Sequence, residues 1–183
     1  MTGEVIFITG GARSGKSGCA ERMAREFGDA VLYIATARAF DEEMRARIQN
    51  HRARRPAAWR TFEGVDGLAE AITGFEGCVL LDCVTLFLTN RMLDSGYDFE
   101  HPVPAEVERV EQAARAEMDQ LIERARAQGN TLILVSNEVG MGIVPEYPFS
   151  RVFRDAAGRL NAHLAARASR AIFMVSGLEM RLK

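Results

Sequence analysis

The fold of this chain is constrained most by a glycine-rich segment of eight residues near its start. The segment follows an apolar run at residues 5–9 and precedes a helical pattern at residues 16–27. Its sequence fits G-x-x-x-x-G-K-[ST], which is typical of a phosphate-binding loop between a strand and a helix. The eight residues are Gly10, Gly11, Ala12, Arg13, Ser14, Gly15, Lys16 and Ser17.

Each residue type in this loop has a physical role. Glycines let several backbone N–H groups turn towards one anion, and the start of the following helix adds the positive end of its dipole. Lys16 can neutralise β and γ oxygens of a nucleoside triphosphate, and the Ser17 hydroxyl can hold Mg²⁺. Only Lys16 and Lys183 are lysines among the 23 basic residues, so a lysine at this position does not follow from composition. The loop therefore predicts binding of ATP or GTP with Mg²⁺.

Strand-like and helix-like segments alternate along the rest of the chain. Apolar runs rich in β-branched residues predict buried strands at residues 5–9, 31–36, 79–84, 132–136 and 171–176. Helical spacing is found at residues 16–27, 42–54, 67–73, 104–128 and 151–168. The alternation predicts an α/β fold in which helices flank a mostly parallel central sheet. With no internal repeats, and with residues 94–104 as a surface loop, residues 1–183 are expected to form a single domain.

Charge and cysteine content exclude several classes of protein. A net charge of -2 and a pI near 6.0 give no general attraction to nucleic acid or to anionic membranes. No apolar segment is long enough to span a bilayer. Cys19, Cys78 and Cys83 lack the spacing of a zinc site or a redox pair. We therefore expect a cytoplasmic protein that binds no nucleic acid and has no membrane span.

Asp82 ends the apolar run that begins at residue 79. In phosphate-loop proteins, an acidic residue at the end of a neighbouring strand reaches the magnesium ion or its water shell. A carboxylate that closes a buried run needs a compensating charge, so we predict that Asp82 serves the metal. The alternative is an ordinary helix N-cap.

The nucleotide-binding class can be narrowed by what the chain lacks. Switch GTPases recognise guanine with an N-K-x-D loop, and outside the phosphate loop the only lysine is Lys183. A Ras-like GTPase is therefore disfavoured. A small-molecule kinase or nucleotidyltransferase is the main remaining class, and an ATP-binding regulator or motor subunit competes with it.

Arginines crowd around His51 in the segment 45–56. On a helix, His51 shares a face with the residues three, four and seven positions away, Ile48, Arg55 and Met44. A neutral imidazole there could attack phosphorus, because guanidinium groups favour the neutral form and bind the displaced phosphates. Spacing alone favours the ordinary interpretation, a half-buried helix histidine beside solvated arginines.

Further stretches of the chain match a known family in order. They are GGARSGKS from Gly10, LYIAT from Leu32, DEEM from Asp41, RIQNH from Arg47, Arg55 with Pro56, WRT from Trp59, NEVGMGIVP from Asn137, FRD from Phe153, and Gly158, Arg159 and Asn161. Together they resemble the bifunctional adenosylcobinamide kinase / adenosylcobinamide-phosphate guanylyltransferase family of cobalamin synthesis. The resemblance covers nearly the whole chain, which a phosphate loop alone would not provide.

The resemblance implies a RecA-like P-loop NTPase fold and two reactions. The first transfers a phosphoryl group from ATP or GTP to adenosylcobinamide. The second passes GMP from GTP, through a guanylylated histidine at the position of His51, to give adenosylcobinamide-GDP. Relatives often have two adjacent histidines here, whereas this chain has Asn50 before His51. That difference leaves one candidate nucleophile and puts in doubt a helper role for a first histidine.

The same resemblance assigns the site residues. His51 and Lys16 are the implied catalytic residues, and Ser17 and Asp82 are the implied ligands of Mg²⁺. Outside the phosphate loop, the implied nucleotide-binding residues are Ala35, Thr36, Ala37, Arg52, Ala53, Arg54, Arg55, Glu63 and Asp82. The three arginines among them are candidates to hold the departing phosphates. The family also implies a homo-oligomer, expected to be a trimer with sites near the subunit contacts.

Several alternatives stay open at this point. The chain could be a P-loop small-molecule kinase without guanylyl transfer, or a non-catalytic ATP- or GTP-binding regulator. The loop at residues 137–145 follows a strand on the ligand-binding side, so it could sense the γ-phosphate or simply connect a strand to a helix. His101 and His163 have no partners at metal-ligand spacing, and we expect both to be structural.

Overall fold

The computed structural model describes residues 3–96, 98, 101 and 103–183, without the side chains of Arg47 and Arg54. Strands and helices alternate through these ranges. In chain order they are β1 (Val5–Gly10), α1 (Lys16–Arg25), β2 (Val31–Ala35), α2 (Glu42–Arg54), β3 (Arg60–Glu63), α3 (Leu68–Ala71), β4 (Cys78–Asp82), α4 (Val84–Asp94), α5 (Pro104–Ala127), β5 (Thr131–Val135), α6 (Pro148–Arg167), β6 (Arg170–Val175) and β7 (Leu178–Arg181).

The strands form one seven-stranded sheet in the order β3-β2-β4-β5-β1-β6-β7. All pairings among the first six strands are parallel, and β7 pairs with β6 in the antiparallel direction. Parallel strands end at the same edge of a sheet. The loops that follow β1, β2, β4 and β5 therefore emerge together at one edge, where ligands bind in open α/β sheets.

Helices cover both faces of the sheet and create two apolar cores. On one face, α1 contributes Cys19, Ala20 and Ala24 to a core with side chains of the central strands. On the other face, α3, α4, α5 and α6 pack over a larger core that includes Leu68, Phe87, Met118 and Leu164. The arrangement is helix, sheet, helix, so the prediction of a three-layer α/β fold is confirmed.

Helix α2 differs from the other long helices because none of its described side chains is buried. The face predicted from spacing exists, since Met44, Ile48, His51 and Arg55 are half-buried, whereas most of their neighbours are exposed. Helix α2 therefore contributes to neither core.

Three elements were missed from sequence. Helix α4 was missed because its residues continue the apolar run of β4, and a helix buried on most sides shows no polar face. The strand predicted at residues 79–84 ends at Asp82. Val84, which was predicted to end the strand, is the first residue of α4. Strands β3 and β7 are short and largely exposed, so neither shows an apolar run. Parts of the surface loop predicted at residues 94–104 lie outside the described residues.

Among the helices that the structure describes, none combines the length and apolar character needed to cross a membrane. The three cysteines Cys19, Cys78 and Cys83 are buried and unpaired.

The larger core supplies a direct test of the packing. Phe87 of α4 has no exposed surface, whereas Phe40 is 63% exposed. We expect Phe87→Ala to lower the free energy of unfolding by about 3–5 kcal/mol through lost burial and a residual cavity. Urea unfolding measures the change, with Phe40→Ala as the control that leaves stability nearly unaltered. Equal effects of the two substitutions would contradict this packing.

Candidate functional site

The phosphate loop is held in shape by the end of β6. A Cβ atom at Gly10 would lie 2.3 Å from the Met174 carbonyl oxygen, and Gly10 has φ 150, so only glycine fits there. The Gly177 N–H also donates a hydrogen bond of 3.0 Å to the Ser14 carbonyl oxygen. A cavity of about 360 Å³ lies between this loop and the β6–β7 turn. A larger cavity of about 570 Å³ lies between α5 and α6 and contains no residue of the loop.

Lys16 begins α1 and is 7% exposed. Its ammonium donates a hydrogen bond of 2.5 Å to the Gly11 carbonyl oxygen, and it lies 3.5 Å from the Ser14 hydroxyl. The charge is therefore directed into the concave side of the loop, where backbone N–H groups would surround an anion.

Of the two residues expected to serve magnesium, Ser17 lies in the first turn of α1 and Asp82 ends β4. We expected Asp82 on a strand next to β1, but β5 lies between β4 and β1, so the two strands are about 10 Å apart. Asp82 is half-buried at the end of β4, and the residue that caps α4 is Cys83. The N-cap alternative for Asp82 is therefore not what the structure shows.

The donor set fits magnesium. No cluster of three or more acidic, histidine or cysteine side chains suited to a metal occurs in the described part of the chain. Magnesium does not require one, because it is usually bound by one or two protein oxygens together with phosphates and water. The Ser17 hydroxyl is half-buried and has no hydrogen-bond partner within residues 3–96, 98, 101 and 103–183. A hydroxyl and a carboxylate at this edge are the hard oxygen ligands that Mg²⁺ prefers.

Tyr33 connects Asp82 to the segment after His51. The buried Tyr33 hydroxyl donates a hydrogen bond of 3.1 Å to Asp82 Oδ2. The guanidinium carbon of Arg55 lies 3.5 Å from the centroid of the Tyr33 ring. Burial, with the Asp82 charge next, raises the pKa of Tyr33 well above its usual range, so the phenol remains protonated. Sequence reasoning placed Tyr33 in a matching motif but gave it no role.

Ala35 ends β2 beside Asp82, and Thr36 and Ala37 follow it. Thr36 is buried, and its hydroxyl accepts a hydrogen bond of 2.9 Å from the Cys83 N–H and donates one of 2.7 Å to the Cys83 carbonyl oxygen. Asn90 of α4 donates to the Thr36 carbonyl oxygen at 2.6 Å. The Thr36 side chain therefore holds the end of β4 in place. Asn90 was missed from sequence, although a single amide within the apolar stretch of α4 was a usable signal.

His51 lies in the last turn of α2, half-buried, and makes no hydrogen bond within the described part of the chain. The exposed Arg52 forms an ion pair with Glu63 at the end of β3, so two predicted site residues are in contact. Ala53 is exposed, and the Arg54 side chain lies outside the described residues.

Arg55 has no acidic partner among the described side chains, and its buried Nε atom has no hydrogen-bond partner. A guanidinium group that lacks a counter-charge is suited to bind phosphate.

The loop after β5 is tied to the phosphate loop. The Glu138 N–H donates a hydrogen bond of 3.0 Å to the Gly10 carbonyl oxygen. Asn137 donates to the Thr85 hydroxyl at 2.6 Å, and its carbonyl oxygen accepts a hydrogen bond of 3.0 Å from Asn161. Beyond these contacts, Met141, Ile143 and Val144 are exposed. A role in sensing the γ-phosphate stays a prediction.

The other two histidines contact acidic side chains. His163 of α6 lies 2.8 Å from Asp119 of α5, and His101 lies 3.1 Å from Asp98. The first contact joins two helices and the second is local. Both arrangements are consistent with structural histidines.

A family model described as cobinamide kinase / cobinamide phosphate guanyltransferase matches residues 6–182. The chain belongs to this family. The bifunctional adenosylcobalamin biosynthesis protein CobU of Escherichia coli is 46% identical over 182 residues, with 98% of this chain and 99% of that protein covered. CobU of Salmonella typhimurium is 44% identical, with 98% and 99% covered. CobP of Pseudomonas aeruginosa, which has the same description, is 47% identical, with 96% and 95% covered.

Solved structures share the fold at low sequence identity. An ATPase of a bacterial type III secretion system matches with a TM-score of 0.59 and 13% identity, over 98% of this chain and 57% of that chain. The flagellar accessory protein FlaH of Methanocaldococcus jannaschii matches with a TM-score of 0.50 and 14% identity, over 100% and 79%. At these identities the likeness shows the fold alone. The predicted P-loop NTPase fold is confirmed.

The buried thiols of Cys19 and Cys78 are expected to be unreactive in the folded protein. Burial, together with the Glu179 carboxylate, raises the pKa of Cys19 to about 11, and burial raises that of Cys78 to about 12. At pH 8 no more than about one thiol in a thousand is then ionised, and the thiolate is the form that reacts. We expect iodoacetamide to leave Cys19 and Cys78 unlabelled in buffer at pH 8 and to label both in urea. Mass spectrometry of digests measures this, and rapid labelling in buffer would contradict it.

Proposed function

We propose that the protein phosphorylates adenosylcobinamide with ATP or GTP and then transfers GMP from GTP, through a guanylylated His51, to give adenosylcobinamide-GDP. The observation that carries the proposal is that Arg55, which forms no ion pair within the described residues, lies four residues after His51. Its guanidinium also lies over the tyrosine that contacts Asp82. Family membership and the phosphate loop support the same two reactions.

Phosphoryl transfer falls to the phosphate loop. The loop amides and Lys16 bind the β and γ phosphates and neutralise charge as the acceptor hydroxyl attacks the γ-phosphorus. The bond from the γ-phosphorus to the bridging oxygen breaks, a new phosphorus–oxygen bond forms, and the hydroxyl proton is released. Ser17 and Asp82 would hold Mg²⁺, which would supply charge neutralisation at the phosphate oxygens when bound.

Guanylyl transfer falls to α2. A neutral ring nitrogen of His51 attacks the α-phosphorus of GTP, a phosphorus–nitrogen bond forms, and pyrophosphate leaves. Arg55 and Arg52 bind the departing phosphates, with Arg54 as a further candidate. The phosphorylated acceptor then attacks the same phosphorus and restores the histidine. The covalent step divides one difficult displacement into two easier ones.

The adduct provides the decisive experiment. We expect protein incubated with Mg²⁺ and GTP labelled in the α-phosphate to retain label after denaturation, in an acid-labile and base-stable form. His51→Ala should lose this label, because the attacking nitrogen is absent. His101→Ala is the matched control and should retain it, since His101 is exposed and its ring contacts Asp98 in a local loop.

The other outcomes distinguish the rival functions. Wild-type protein that transfers γ-phosphate to cobinamide without any retained label would be a small-molecule kinase only. Protein that binds GTP tightly and performs neither reaction would be a regulator. Label retained in His51→Ala would place the nucleophile elsewhere.

We also propose that the protein is a homo-oligomer, expected to be a trimer. Strand β7 lies at the edge of the sheet, and Leu178 and Met180 are exposed by 71% and 52%. Leu182 follows at the same alternate spacing and is 60% exposed, so the three side chains form an apolar strip. Such a strip is typical of a surface that another subunit covers.

Charge placed in this strip tests the assembly. We expect the wild-type protein to sediment at a multiple of its 20.2 kDa mass. Met180→Asp should shift it towards the monomer, because a carboxylate would lose its hydration in the contact. Arg181→Asp introduces the same side chain on the opposite side of β7 and should leave the assembly intact. A wild-type monomer at micromolar concentration would refute the proposal.

The cellular setting and domain organisation complete the proposal. Three buried, unpaired cysteines support a reducing compartment, and we place the enzyme in the cytoplasm. Residues 1–183 act as a single nucleotide-binding domain, which is supported by the one sheet that includes all described strands. The small-molecule substrates are adenosylcobinamide, GTP and ATP, and the bulk charge supports no role in binding nucleic acid.

A further inference from the structure

We propose that Tyr33 is a positioning residue with two separable functions: its hydroxyl orients the Asp82 carboxylate, and its ring holds the helix that carries His51. The inference rests on the proposed function, because it takes Asp82 to serve Mg²⁺ and His51 to serve guanylyl transfer. Tyr33 lies in the middle of β2, and its side chain contacts both Asp82 and Arg55.

The hydroxyl acts on one oxygen of the carboxylate. Tyr33 is 2% exposed and its hydroxyl donates to Asp82 Oδ2 at 3.1 Å. A hydrogen bond to that oxygen fixes rotation about the last side-chain bond of Asp82 and leaves Oδ1 for a metal ion or its water shell. A carboxylate oxygen only accepts, so the phenol O–H is the donor in this contact. Loss of the hydroxyl would leave the carboxylate in its place but free to rotate.

The ring acts on α2. The guanidinium of Arg55, the residue that ends this helix, stacks on the Tyr33 ring with 3.5 Å between its central carbon and the centroid. The neighbouring ion pair of Arg52 with Glu63 joins two side chains that are each more than half exposed, so water screens it. No described side chain of α2 is buried. The stacked contact on a buried ring is therefore the stronger attachment at the end of the helix where His51 lies.

The two functions affect different steps. Both reactions use Mg²⁺, so loss of the hydroxyl should weaken both by weakening the metal. Only guanylyl transfer uses the position of α2, so loss of the ring should weaken that step even when the metal is saturating. Tyr33→Phe removes the hydroxyl and keeps the ring, and Tyr33→Leu removes both.

The experiment combines binding, hydrogen exchange and rates. For Tyr33→Phe, we expect the Mg²⁺ concentration that half-saturates binding of a fluorescent GTP analogue to rise about tenfold, because a hydrogen bond to a charged group is lost. Amide exchange in α2, measured without nucleotide, should stay at the wild-type level. For Tyr33→Leu, exchange in α2 should accelerate, and the His51 adduct should form about tenfold more slowly at saturating Mg²⁺. Phosphoryl transfer by Tyr33→Leu should recover at saturating Mg²⁺.

Each function can be overturned separately. If Tyr33→Phe needs the same Mg²⁺ concentration as the wild-type protein to half-saturate binding of the GTP analogue, the role of the hydroxyl is refuted. Unchanged exchange in Tyr33→Leu, or an equal loss of both reactions at saturating Mg²⁺, would refute the role of the ring. If Tyr33→Leu does not fold, Arg55→Gln tests the role of the ring instead, because that substitution removes the same stacking. Amide exchange in α2 should then accelerate, and unchanged exchange would refute the role of the ring. Absence of the adduct in wild-type protein refutes guanylyl transfer alone, since metal titration and exchange need neither reaction.

Discussion

Parallel pairing of six strands is the constraint on which the candidate site depends. Each parallel strand ends at the same edge, so the hydrogen-bond ladder alone brings together the phosphate loop, the end of β2, Asp82 and the loop after β5. Strand β1 lies inside this sheet, between β5 and β6. Its last residue, Gly10, approaches the Met174 carbonyl so closely that the course of the phosphate loop is fixed by backbone packing. The chemistry at the edge is therefore a consequence of the sheet.

Buried polar contacts hold the individual strand ends within that edge. Thr36 and Cys83 join β2 to β4, Asn137 joins the loop after β5 to α4, and Asn161 joins that loop to α6. Ser136 completes the series by donating a hydrogen bond of 2.6 Å to Asn161. Buried groups of this kind destabilise a fold when they lack partners, so each satisfied pair favours a single arrangement of the loops. The strand ends and loops at the site are thus held in a defined arrangement, whereas α2 has no buried side chain among those described.

The sequence was sufficient for the parts of the molecule that depend on local pattern. The phosphate loop, five of the strands and the long helices α5 and α6 show periodicity or a fixed spacing, and all were predicted close to their observed bounds. Contacts that depend on strand order could not be predicted, because periodicity does not tell which strands are neighbours. The insertion of β5 between β1 and β4 and the contact of Tyr33 with Asp82 belong to this second group.

His51 illustrates the same division. Spacing correctly indicated the half-buried face of α2 on which His51 lies, but spacing alone favoured an ordinary helix histidine. Only the family resemblance distinguished this histidine from His101 and His163. Burial and geometry within one chain do not by themselves distinguish the proposed nucleophile from a structural histidine.

The sparse packing of α2 determines which property of the protein amino-acid substitutions in this helix would change. Most random substitutions lower function by lowering the amount of folded protein, since cores are sensitive to volume. Substitutions on a helix that lies outside both cores have little effect on the amount of folded protein, and because the proposed nucleophile lies on this helix they would act on reactivity instead. In a population of natural variants, the segment Glu42–Arg54 would thus be the place where activity changes while expression stays constant.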